Sequence, residues 1–110
     1  METKHVLAAL AALAQESRLA IFRLLVQAGP SGLPAGKVGE ELGIASSALS
    51  FHLKELAHAG LVTARQEGRF VIYTAQFETM GELVGFLTEN CCAGVPCGID
   101  VPGASCKSGA

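Results

Sequence analysis

Cys91, Cys92, Cys97 and Cys106 are the only cysteines of the 110-residue chain, and all four lie beyond Asn90. A disulfide framework would be spread through a fold to staple it, so these thiols do not hold a core together. Clustered thiols in a reducing compartment point instead to metal binding or redox chemistry. Three thiolates between Cys91 and Cys97 suffice for a trigonal-pyramidal site, the geometry of a soft trivalent ion with a lone pair. Thiolate softness favours such an ion over Mg²⁺ or Ca²⁺, and loops this short close at little entropic cost. Zn²⁺ would want four ligands, with Cys106 as the fourth, but the Cys92-to-Cys97 spacing is irregular for a zinc knuckle. The redox alternative pairs Cys91 or Cys92 with Cys97 or Cys106. Thiol catalysis is disfavoured, because no Arg follows Arg69 to clamp an oxyanion and no Cys-x-x-Cys pair occurs.

The elements that carry these thiols form one small domain. Half of the residues are hydrophobic, which allows a real core, and 8 Lys+Arg against 10 Asp+Glu leave a net charge of −2. A histone-like basic protein is excluded, whereas a local basic patch is not. With no Trp and one Tyr, an aromatic-lined pocket or base-stacking platform is disfavoured. No apolar run approaches the ~18 residues of a membrane span. The stretch METKHVLAALAALA at 1–14 superficially resembles a secretory signal. However, Glu2 offsets Lys4 and no polar spacer follows, so it reads as a first helix and the expected location is the cytoplasm.

Val6, Leu7, Leu10, Leu13 and Ala14 recur at helical spacing, and the alanines between them make this helix apolar nearly all round, which predicts a partner chain. Ser17 is the expected N-cap of a second helix, Arg18 to Ala28, with Leu19, Ile21, Phe22, Leu25 and Val26 inward and Gly29-Pro30 as its stop. Leu33 and Pro34 open a third helix, Pro34 in its first turn, that runs through Leu42 and closes at Gly43. A fourth runs from Ala45 or Ser46 to about Ala59, with Leu49, Leu53 and Leu56 inward. Ser47, Ser50, Phe51, Lys54 and His58 fall on its opposite side. The period then drops towards two. Leu61 to Gln66 and Arg69 to Ala75 read as strands around a Glu67-Gly68 turn. Phe77, Met80, Leu83, Val84 and Leu87 mark a fifth helix ending near Asn90, and the Gly-, Pro- and Ser-rich remainder is expected to be a mobile tail. The expected fold is mostly α with a β-hairpin, a winged helix-turn-helix. On this reading residues 1–90 are expected to be the winged helix-turn-helix DNA-binding and dimerisation domain, and 91–110 a cysteine-containing, inducer-binding tail.

The run SSALSFHLKELAHAGLV at 46–62, followed by RQEGRFVIY at 65–73, resembles the ArsR/SmtB family of winged-helix metalloregulators. Ser17-Arg18-Leu19 and Ile21 to Leu25 match the family's second helix, and the resemblance extends from about Leu7 to Asn90. It implies a homodimer that represses by occupying double-stranded operator DNA and leaves when a metal binds, with no enzymatic activity. The first and last helices, here 5–14 and 77–90, would form the interface. Ser46, Ser47, Ser50, Phe51 and His52 match the recognition-helix positions, Lys54 joins them on the exposed face, and Arg65 and Arg69 match the hairpin's phosphate contacts. Phe51 stands where Arg is often found, which leaves contact with a thymine methyl as its option. His52, at the edge of the buried stripe, reads as a hydrogen-bonded structural residue that can orient a neighbour or reach a phosphate. Lys54, Arg65 and Arg69 outnumber Glu55 and Glu67 by one in segment 46–75, so binding should also lean on dimerisation and helix-dipole contacts.

Two departures from the family bear on the inducer. The third helix lacks the cysteines of the best-known arsenic site, and the last helix lacks the Asp and His of the common zinc or nickel site. Cys91, Cys92 and Cys97 remain, resembling the branch whose arsenic site follows the last helix. The resemblance therefore implies As(III), or Sb(III), as inducer at Cys91, Cys92 and Cys97, and leaves the role of Cys106 open. A redox-sensing repressor using disulfides among the same cysteines, or a zinc/cadmium-responsive one, is the alternative.

Overall fold

The computed structural model describes residues 1–90; the four cysteines and the expected tail lie outside the described residues. The elements are α1 (Thr3–Leu13), α2 (Glu16–Ala28), a 3₁₀ turn (Gly29–Ser31), β1 (Leu33–Pro34), α3 (Ala35–Leu42), α4 (Ser46–His58), β2 (Val62–Glu67), β3 (Phe70–Ala75) and α5 (Phe77–Leu87). The three strands form one antiparallel sheet in the order β1-β3-β2.

One apolar cluster joins all five helices to the sheet. Val6, Ala9 and Ala12 of α1, Ile21, Phe22 and Leu25 of α2, Val38 of α3, Leu49, Leu53 and Leu56 of α4 and Leu83 of α5 are all buried in it. Small residues on the inner face of α1 let that helix approach closely, and its larger Leu7 and Leu10 face outward. The stretch that looks like a signal is thus a core-forming helix. In α2, Leu19 also departs from its expected place: it is exposed, while Ile21, Phe22 and Leu25 carry the burial.

Three boundaries differ from expectation, each for a local reason. The cap of α2 is Gln15, not Ser17: the Gln15 side chain accepts a 2.9 Å hydrogen bond from the Arg18 amide. Its side-chain oxygen reaches forward to the first turn, which places Ser17 inside the helix. Arg18 then donates through Nε to the Ala12 carbonyl at 2.7 Å, satisfying an orphan acceptor at the end of α1.

The second difference is that Leu33 and Pro34 are strand rather than helix, pairing with Tyr73 and Ile72 of β3. A proline lacks the N–H of a central strand but is tolerated at an edge, and Pro34, with extended backbone, is the residue before α3 rather than in its first turn. The third concerns the hairpin. Glu67 pairs with Phe70, so the two-residue loop is Gly68-Arg69. Gly68 has φ +62° and stands at the first loop position, where a type II′ turn wants glycine. Arg69 is therefore a tip residue and not the start of a strand.

Candidate nucleic-acid interface

The polar helix is presented by a short turn. Gly43 ends α3 in the left-handed region, and the Ile44 amide donates to the Gly39 carbonyl at 3.0 Å. A Cβ at Gly39 would sit 3.1 Å from both the Ile44 carbonyl oxygen and Leu49 Cδ2, so the glycine lets α3 and α4 approach closely where they meet. Ala45 precedes α4 without a side-chain cap. The first amides of α4 are thus left for solvent or an anion, as at helix ends that receive phosphates.

Leu49, Leu53 and Leu56 bury one face of α4 almost completely. Ser46, Ser47, Ser50, Phe51 and Lys54 are all exposed, as expected from the 3.6-residue period. Lys54 makes no ion pair among the described residues. Phe51 is 56% exposed and meets the His52 ring edge-on with centroids 5.6 Å apart. His52 lies half-buried at the edge of the leucine stripe, but its Nδ1 is buried with no hydrogen-bond partner among the described residues, where a hydrogen-bonded imidazole was expected.

The two hairpin arginines occupy unlike positions. Arg69 is exposed at the wing tip and makes no hydrogen bond or ion pair among the described residues. Arg65, partway along β2, is also exposed, but its guanidinium is engaged by neighbouring groups. Its Nε donates to the Glu67 carboxylate, its Nη1 to Thr74 Oγ1 at 3.1 Å and its Nη2 to the Ser31 carbonyl at 2.8 Å. The contact to Ser31 was not legible in the sequence, because nothing in local spacing joins residues so far apart.

The cysteine site cannot be placed within residues 1–90. Among the described residues no group of three or more His, Cys, Asp or Glu side chains could hold a metal. The last helix ends at Leu87, and Asn90 has φ +57° just before Cys91. No described helix is long and apolar enough to cross a membrane.

A polar helix set out by a tight turn and followed by a hairpin defines a winged-helix DNA-binding regulator. A helix-turn-helix domain model matches residues 13–65. The uncharacterised HTH-type transcriptional regulator YceK of Bacillus subtilis is 40% identical over 77 residues, covering 69% of this chain and 76% of that protein. An ArsR-like transcriptional regulator from Rhodococcus sp. RHA1 is 25% identical with a TM-score of 0.70, over 83% of this chain and 82% of that one. The homodimeric winged helix-turn-helix domain of Mb0332 from Mycobacterium bovis is 28% identical with a TM-score of 0.64, over 79% of this chain and 81% of that one. The chain belongs to the ArsR family of winged-helix transcriptional regulators. Its activity is DNA-binding regulation of transcription, not enzymatic turnover.

Arg69→Ala is expected to weaken binding to all duplexes about equally and to lower the slope of log K against log salt by about 0.9, the value of one lost phosphate contact. Lys54→Ala should act in the same direction. Filter binding from low to moderate salt measures both, and an unchanged slope in the double variant would remove the wing tip and α4 from the phosphate backbone.

Proposed function

We propose that the chain is a homodimeric cytoplasmic repressor that occupies operator DNA and is released when As(III), or Sb(III), binds the thiolates of Cys91, Cys92 and Cys97. The observation that carries the DNA half is α4, a leucine stripe buried on one side and Ser46, Ser47, Ser50, Phe51 and Lys54 exposed on the other. Dimerisation is supported by the outward leucines Leu7 and Leu10 on α1 and Leu87 on α5, two helices that meet in the same core through Val6 and Leu83. The homodimeric Mb0332 domain supports the same arrangement. Residues 1–90 then bind DNA and dimerise, and 91–110 form the inducer-binding tail.

The inducer half rests on chemistry and placement. Three thiolates offer a soft S₃ site, and Cys91 follows closely on α5, the helix assigned to the interface. Drawing the tail into a closed site re-poses α5 and changes the spacing of the two α4 helices against half-sites set about 34–36 Å apart. A solved relative described as a possible transcriptional regulator for arsenical resistance, 28% identical with a TM-score of 0.63, supports this choice.

A coupling of about 1–3 kcal/mol lowers operator affinity about 5–150-fold. The test is binding to a duplex selected from a randomised pool, with As(III), Sb(III), Zn(II) or Cd(II) added under reducing conditions. As(III) should release the wild type. Cys91→Ser, Cys92→Ser and Cys97→Ser should each bind DNA normally and fail to respond, and Cys106→Ser should respond like the wild type. Response by all three serine variants, or a block by Cys106→Ser alone, would place the site elsewhere.

A redox reading has one observation in its favour, the solved reduced form of HlyU from Vibrio cholerae, 32% identical with a TM-score of 0.63. Release by a metal-free oxidant, with no effect of As(III), would select disulfide formation among the same cysteines.

A further inference from the structure

We infer that Arg65 is a positioning residue that locks the wing to the helix-turn-helix, and not a phosphate ligand like Arg69. The inference rests on the DNA-binding reading and refines its account of the wing. Three donors of one planar guanidinium are already committed, to a carboxylate, a hydroxyl and a backbone carbonyl. Glu67 also pairs the charge, which removes much of the advantage a phosphate would gain from it.

The three acceptors lie on different pieces of the fold. Glu67 is on β2 itself, Thr74 on β3, and Ser31 in the 3₁₀ turn after α2. That turn runs directly through Gly32 into β1 and then α3, the helix that carries α4 on a short turn. Gly32 lies against the same spot: a Cβ there would be 2.7 Å from Thr74 Oγ1, the atom that accepts from Arg65 at 3.1 Å. Arg65, Thr74, Ser31 and Gly32 thus form one junction between the wing hairpin and the start of the helix-turn-helix. The junction fixes how far the Arg69 tip stands from the groove-facing side of α4. A rigid fork suits this role, because a lysine ammonium is a point charge that cannot hold three acceptors in one plane.

Three variants separate the roles: Arg65→Ala, Arg65→Lys and Thr74→Val, the last removing one acceptor without changing charge. Affinity for the selected duplex is measured across salt, and amide hydrogen exchange of β2 and β3 is measured on the free protein. For a positioning residue, Arg65→Ala and Arg65→Lys each lower affinity about tenfold, keep the wild-type salt slope, and speed wing exchange about tenfold. Thr74→Val shifts affinity and exchange the same way by less. For a phosphate ligand, Arg65→Ala loses about 0.9 of slope, Arg65→Lys binds like the wild type, and wing exchange is unchanged; that result overturns the inference. Should the wild type bind no duplex, the DNA-binding reading fails, and exchange on the free protein still decides: unchanged wing protection in both Arg65 variants overturns the junction.

Discussion

Leu7→Glu combined with Leu87→Glu is expected to yield a folded monomer and to lower operator affinity about a thousandfold, towards the non-specific level. The two leucines are 61% and 58% exposed in the isolated chain, so the charges meet solvent in the monomer and the fold survives. In a two-fold interface each position occurs twice. Burial of a leucine contributes about 1.5–3 kcal/mol, so four such sites supply about 6–12 kcal/mol as an upper range. That is comparable with the roughly 8 kcal/mol of a micromolar complex, and each buried carboxylate adds a desolvation cost. Sedimentation checks the assembly and a circular-dichroism melt checks the fold. Leu83, although on the same helix, is 7% exposed and belongs to the chain's own core, so a charge there would test folding rather than assembly. A double variant that remains dimeric would move the interface away from α1 and α5.

Gly32→Ala is expected to lower the melting temperature by at least about 15 °C. Gly32 has φ +68°, and a Cβ built on it falls 2.4 Å from the Tyr73 carbonyl oxygen. With ψ −168° the backbone lies in a region essentially confined to glycine, which alone costs an alanine about 1–3 kcal/mol. Relief of the clash must also pull the 3₁₀ turn and β1 away from β3, where Leu33 and Pro34 pair with Tyr73 and Ile72. Domains of this size hold only about 5–15 kcal/mol in total. Gly68→Ala is the control: its φ is +62°, yet nothing lies within 4 Å of the added Cβ, so only the backbone term of about 1–2 kcal/mol applies. Equal shifts for the two variants would show that the close approach at Gly32 has no energetic weight.

The contrast between these glycines also shows what a sequence can convey. The inward leucines of α4 and its polar face were legible because a 3.6-residue period over thirteen residues is a strong, purely local signal. Leu33-Pro34 was not, since two residues carry no period and their strand character comes only from β3. The Glu67-Gly68 reading slipped by one residue because several two-residue loops containing glycine fit the same hydrophobic pattern, and the cross-strand register alone selects Gly68-Arg69. Arg65 and Arg69 look alike in sequence, four residues apart on one hairpin. Their difference is tertiary, for Arg65 reaches a carbonyl 34 residues away and Arg69 reaches nothing within the described chain. The exposed polar face of α4 was therefore readable, whereas the contacts of Arg65 around the wing were not.

Hydroxyl-radical footprinting of the wild-type chain on its selected duplex tests the central claim, that two α4 helices and their wings read DNA as a symmetric pair. The expected result is two equivalent protected patches related by a two-fold axis. Their centres should lie about 10–10.5 base pairs apart, or a multiple of that spacing, with protection that weakens about equally in both when Arg69 is replaced. A single or asymmetric patch, or protection spread evenly whatever the sequence, would contradict it.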